Sequence, residues 1–184
     1  MSDRGCKVVD AGVGSAVDLA KYAQRRWWTG GQGHDLTVHA VSVDDDGNWL
    51  PGRDPDSGEW QVGLEWDEPR DIREVVVRLA GSGEPSPNLR VQYWRKNWPT
   101  PAPERLPGAR RGWIGRDDPW HGEWVTVRAA RIVEGATCRF VFDPLDLAEF
   151  ARRQGADQLV EAEDYLPKYR RTLKIRVVGD DEEC

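Results

Sequence analysis

At 184 residues the chain has the size of one domain with embellishments, long enough to bury a substantial core. Hydrophobic residues make up 39% and charged residues 32%, and a net charge of −6 argues against a general nucleic-acid binder, which needs a basic footprint. No window of about 18 apolar residues exists, so a helical membrane span is not expected.

The outlying count is ten Trp, against a single Met. One small core does not readily hold that many indoles, so two or more are expected to line a surface. Cys6, Cys138 and Cys184 are widely spaced, with no CxxC pair, and suggest neither a zinc site nor a disulfide framework. Cys138 lies in a strand-like run and reads as a buried thiol. The N-terminus lacks an apolar core of signal-peptide length. The expectation is a cytoplasmic protein, or an extracellular module excised from an exported one.

In chain order, residues 5–10 suggest a short first strand. Residues 15–26 suggest a short helix, opened by Ser15 and Asp18 in a capping-box-like pattern, with Val17, Leu19, Ala20 and Tyr22 on one face. Trp27 and Trp28 follow. Neighbours on an extended segment point opposite ways, so at most one is expected to be buried. Residues 29–34 form a Gly-rich loop without phosphate-cradle spacing. Leu36 to Val43 alternates as a strand, with Leu36, Val38 and Ala40 set against Thr37, His39 and Val41. A long acidic turn region covers residues 44–59.

Trp60, Val62, Leu64 and Trp66 then alternate with Gln61, Gly63 and Glu65, a period-two strand with an aromatic inner face. Glu68-Pro69-Arg70-Asp71 is expected to turn the chain into a second strand over residues 72–80. Leu89, Val91 and Tyr93 make the inner face of a third. Residues 97–119 are irregular and hold five prolines, with Trp98 and Trp113. Loops of that length inside a compact domain are usually functional or disordered, and the aromatic residues argue against disorder. Strands follow over residues 123–133 and 137–142, then a helical insert at about 144–170. Residues 172–178 form a closing strand with Leu173, Ile175 and Val177 inward. No internal repeat is present. The expected fold is all-β: one antiparallel jelly-roll β-sandwich domain over residues 1–184, its core at about 36–178, with short helical embellishments.

One resemblance arises from these residues. Asp46-Gly47, Trp49, Trp60, the GLEW run, Pro69-Arg70-Asp71-Ile72 and the VVVRL strand follow an order that resembles galactose-binding-like domains. That family includes discoidin and coagulation-factor C-type domains and many carbohydrate-binding modules. Residues 91–98 (VQYWRKNW) resemble its V-Q-Y strand, with Lys96-Asn97 in place of the usual Asp-Gly, and CRFVF resembles a later strand. The match covers about residues 44–142. The N-terminal third and the insert after Phe142 depart from it. The resemblance implies a jelly-roll sandwich that binds a ligand with loops at one end, usually non-catalytic and often beside a catalytic domain in multidomain bacterial glycoside hydrolases. It also implies a structural calcium near the acidic turn.

Calcium takes six to eight oxygen ligands, and the acidic turns supply many oxygens. Asp46 and Asp56 are the first candidates, against an ordinary solvated acidic loop. For a glycan, aromatic platforms with polar groups beside them are needed. Trp98, Trp113, Trp120 and His121 lie in or next to the proline-rich loop, with Arg95, Arg116 and Asp117 near them in sequence. The alternative is that these indoles pack the loop onto the sandwich. Trp60, Trp66 and Trp124 fall in strand alternation and are expected in the core. The three His show no metal spacing, no GxSxG elbow exists, and no catalytic residue is assigned. The function expected is a non-catalytic carbohydrate-binding or accessory module of a larger protein. The alternative is a structural domain packing on a neighbouring domain or subunit.

Overall fold

The computed structural model describes residues 6–8, 17–30, 36–80, 84–96, 122–146 and 166–180. Thirteen strands run through them: β1 (Cys6–Val8), β2 (Gln24–Thr29), β3 (Thr37–Ala40), β4 (Ser42–Val43), β5 (Trp49–Leu50), β6 (Gly52–Arg53), β7 (Trp60–Ile72), β8 (Glu74–Leu79), β9 (Arg90–Lys96), β10 (Gly122–Thr126), β11 (Ala129–Glu134), β12 (Thr137–Phe142) and β13 (Arg170–Gly179). The first sheet has the order β11-β12-β8-β1-β5-β4. The second has the order β10-β9-β13-β7-β2-β3, with β6 paired to β7. The ladders within both sheets are antiparallel. The protein is an all-β antiparallel sandwich, and no helix among the described residues is long and apolar enough to cross a membrane.

The core follows from alternation. In the second sheet, Val91, Val177 and Val62 stand side by side across β9, β13 and β7, and Tyr93, Ile175 and Leu64 form the next row. In the first sheet, Val75 faces Phe140 and Val77 faces Cys138 across β8 and β12. Trp49, Trp60 and Trp66 join the same cluster. Each such side chain contributes roughly 1.5–3 kcal/mol on burial. Cys138 is fully buried, as its strand position predicts, and burial pushes its thiol pKa up.

Four local expectations are corrected. The chain does not turn at Glu68–Asp71, because β7 continues to Ile72 and only Arg73 separates it from β8. Between the pairs Lys174↔Glu65 and Thr172↔Arg70, β13 spends one residue and β7 four. Pro69 sits in that bulged stretch, where its missing N–H removes no ladder bond. Residues 36–43 form two short strands, β3 in the second sheet and β4 in the first, with the chain crossing at Val41. Val38 is 39% exposed, while His39 stacks on Trp27 at 4.0 Å and Val41 packs on the core.

Third, the expected helix over residues 15–26 is, where described, one 3₁₀ turn (Ala20–Tyr22), whose Ala20 N–H donates to Asp18 Oδ1; Arg25 and Arg26 already belong to β2. Fourth, Trp124 is not a core residue and lies on the outer face of the second sheet, directly opposite Trp94 on β9. Residues 147–165 of the expected helical insert lie outside the described residues. So do residues 97–121, which contain the proline-rich loop.

Candidate binding face

The second sheet is buried on both faces. Trp28, Trp94, Gln61, Lys174 and Val178 are each at most 2% exposed, yet none belongs to the core cluster between the sheets. By register they share the opposite face. Gly63 pairs with Arg176, which pairs with Gln92, and Glu65 pairs with Lys174. Arg26 pairs with Gly63 from the other side.

Glycine shapes this face. Gly63 carries no side chain, so the Trp28 indole lies across β7 there, and a Cβ at 63 would sit 2.8 Å from its ring. Gly122 makes the same room for Trp94, with a would-be contact of 2.6 Å to the indole. Trp28 and Trp94 therefore both reach Trp124, with ring centroids 5.0 Å and 5.2 Å away and tilts of 55° and 69°. These are edge-on arrangements favoured by the ring quadrupole.

Arg176 lies over the Trp124 ring at 4.2 Å. Its Nε donates to Gln92 Oε1 and its Nη1 to Gln61 Oε1, both at 2.8 Å. Gln61 in turn donates from Nε2 to the Trp28 carbonyl at 2.5 Å. The two amides fix the guanidinium plane in advance of any ligand. Desolvation pulls the Arg176 pKa down to about 10, opposed by the charges of Asp54 and Glu59. The Lys174 ammonium lies 5.1 Å from the Trp94 ring centroid and 3.6 Å from Glu65. Burial lowers its pKa and Glu65 opposes that. Glu65 also faces Arg26 Nε at 3.7 Å, so the carboxylate is shared between two cations.

Among the described residues, the buried indole N–H groups of Trp28 and Trp124 meet no hydrogen-bond acceptor. Each such group costs about 1–3 kcal/mol unless something accepts from it. The face thus offers rings, a fixed guanidinium and unfilled donors. It can bind and orient, and its Glu65 carboxylate is held in two ion pairs.

Of the residues singled out in the sequence, Arg95 is described and lies elsewhere. It projects toward the inner side of β9 and pairs with Glu123 on β10, its Nε donating at 3.1 Å. Trp98, Trp113, Trp120, His121, Arg116 and Asp117 lie outside the described residues. β9 runs into that segment and β10 leaves it, and Lys96 pairs with Gly122 at its root.

Asp46 and Asp56 are exposed, and the carboxylates that organise the two turns are those of Asp44 and Asp54. Asp44 Oδ1 accepts from the backbone N–H of Asp46 at 3.0 Å and of Asn48 at 2.7 Å, and Oδ2 accepts from Asn48 Nδ2 at 2.9 Å. Asp54 Oδ1 accepts from the Asp56 N–H at 3.1 Å. These are Asx turns, closed by their own groups. Among the described residues, no three His, Cys, Asp or Glu side chains gather as a metal site.

The Asn48 side chain, followed by its backbone N–H, holds the Asp44 carboxyl below the usual carboxylate range. Its contribution is therefore present above the unfolded value and lost as pH falls through the folded one. Asp44→Ala should melt at a lower temperature than wild type near neutral pH. The gap should close in acid, and a gap that persists there would remove the charge from the account.

The sequence carried one overlooked signal for this face. Trp27-Trp28, Tyr93-Trp94 and Val177-Val178 put large apolar residues on successive positions, hence on both faces of one strand, the pattern of a sheet covered on both sides. Compared with models of known families, with curated proteins and with solved structures, the chain matches none.

Proposed function

We propose that this chain is a non-catalytic β-sandwich recognition module of a larger protein, with jelly-roll connectivity of the galactose-binding-like kind, and that its ligand is a carbohydrate. The observation that supports this most is Arg176, fixed by Gln61 and Gln92 against the ring of Trp124. An indole presents an apolar surface to the C–H face of a sugar ring. A planar guanidinium and the amide of Gln92 offer forked hydrogen bonds to hydroxyls beside it. Trp124 and Gln92 are only half-buried, so this end of the face is open to solvent. It also adjoins the root of the segment that carries Trp98, Trp113 and Trp120, the indoles first singled out in the sequence.

A second reading is a domain that packs on a neighbouring domain or subunit through the half-buried Trp124 end of this face. A polysaccharide panel followed by Trp fluorescence separates the two. On the first reading at least one glycan shifts the emission, and Trp124→Ala weakens its binding about tenfold or more, a loss of about 1.4 kcal/mol. No shift across the panel, together with a rise in melting temperature on adding the flanking domain, would give the second reading precedence.

A further inference from the structure

We infer that β11 is a dimerisation edge, which pairs antiparallel with β11 of a second copy about a two-fold axis through residue 131. Among the described residues β11 ends the first sheet, and its ladder there is to β12. An open edge offers unpaired N–H and C=O groups, and proteins normally blunt it by shortness, proline, a bulge, charged side chains (lysine above all) or an inward-pointing charge, of which β11 carries the inward-pointing Arg131 and the charge of Glu134. β4, the opposite end of that sheet, has two residues; β3 and β10, the ends of the second sheet, have four and five. β11 has six (AARIVE), with no proline, no lysine and Ile132 43% exposed.

The hydrogen-bond phase limits the possible registers. Glu134↔Thr137 closes the two-residue turn Gly135-Ala136, and at its other end the Asp143 N–H donates to the Arg128 carbonyl at 2.9 Å. Even-numbered residues therefore bond to β12. The N–H and C=O groups of Ala129, Arg131 and Val133 point to the open edge. A symmetric partner must match these three with its own. Centring on residue 131 matches all of them, Arg131 with Arg131 and Ala129 with Val133, each pair exchanging both its N–H···O bonds.

That register also fits the side chains. On the outer face of the sheet, Arg128 falls opposite Glu134 of the second copy, and Ala130 opposite its Ile132. All four are exposed, and neither Arg128 nor Glu134 has an ion-pair partner among the described residues. Shifting the axis to residue 130 or 132 sets Arg128 against Ile132, or Ala130 against Glu134, and loses both charge pairs. On the inner face the two Arg131 side chains meet at the axis. Each is already committed to its own chain, donating from Nη2 to the Pro85 and Ser86 carbonyls at 2.6 and 2.7 Å. Charge complementarity and hydrogen-bond phase thus select a second copy of this chain as the occupant.

Sedimentation equilibrium of the full chain over a concentration series tests this. Wild type is expected to dimerise. Arg128→Glu and Glu134→Arg should each weaken the dimer about tenfold or more, because each places two like-charge pairs across the axis. The combined Arg128→Glu/Glu134→Arg variant should return to near the wild-type Kd, and Glu134→Gln should fall between. All are exposed substitutions, so unchanged melting temperatures check the fold. A wild type that stays monomeric throughout overturns the inference. So does a dimer indifferent to both single reversals, or a double variant that fails to recover.

Discussion

Gly63→Ala is expected to destabilise the protein by about 3 kcal/mol, an overpacking cost at the upper end of the common range. For a chain of this size that lowers Tm by roughly 6–12 °C. A Cβ at residue 63 would drive into the Ile175 carbonyl oxygen, and it would lie 2.8 Å from Trp28 Cζ3 and 3.0 Å from the Arg176 Cα. Two of those neighbours are backbone of β13. They cannot withdraw without parting the Leu64↔Ile175 and Gly63↔Arg176 pairs at the centre of the second sheet. Gly47→Ala is the matched control. Its position has open space around it and a φ of +83°, so only backbone strain of about 1 kcal/mol is at stake. Thermal or urea unfolding of both variants checks the difference. Equal losses would mean that the space above Gly63 is not closed by β13 and Trp28 as described.

Much of the sandwich was legible because period-two alternation is a direct record of one-sided burial. Alternation places Trp60, Val62, Leu64 and Trp66, Leu89, Val91 and Tyr93, and Leu173, Ile175 and Val177 on the inner face, and all of these except Leu173 belong to the core. The rule that adjacent strand residues diverge was also enough for Trp27 and Trp28, of which only Trp28 is fully buried. Three features were not legible, for different reasons. Pro69 reads as a turn, because a bulge in β7 depends on how β13 happens to pair with it. The stacking of His39 on Trp27 is a tertiary contact that strand alternation does not register. The outer face of the second sheet was missed because alternation had already assigned its residues to solvent. Lys174 and Arg176 look like the wet side of a strand until their neighbours Trp94 and Trp124 are placed.

Trp28→Ala should cost about 3–5 kcal/mol, the range for removing a buried aromatic. Trp27→Ala should cost less, on the order of 1–2 kcal/mol, for the loss of a half-buried ring stacked on one histidine. The two residues are neighbours of identical chemistry on one strand, so propensity and composition cancel and only the face differs. Their effects on ligand response should also separate. Removing the Trp28 indole opens a void above Gly63 and takes away a ring that braces Trp124. Trp124 then loses the position at which Arg176 and Gln92 meet it, and any glycan-induced change in fluorescence should weaken with it. Trp27 touches none of these groups and stacks on the other side of β2, so Trp27→Ala should retain the response. Urea unfolding with parallel glycan titration reads both outcomes on the same samples. If the two variants lose equal stability, the second face is not a packed layer. If Trp28→Ala binds as wild type does, Trp28 is a structural floor, and recognition rests on Trp124 with the residues around it.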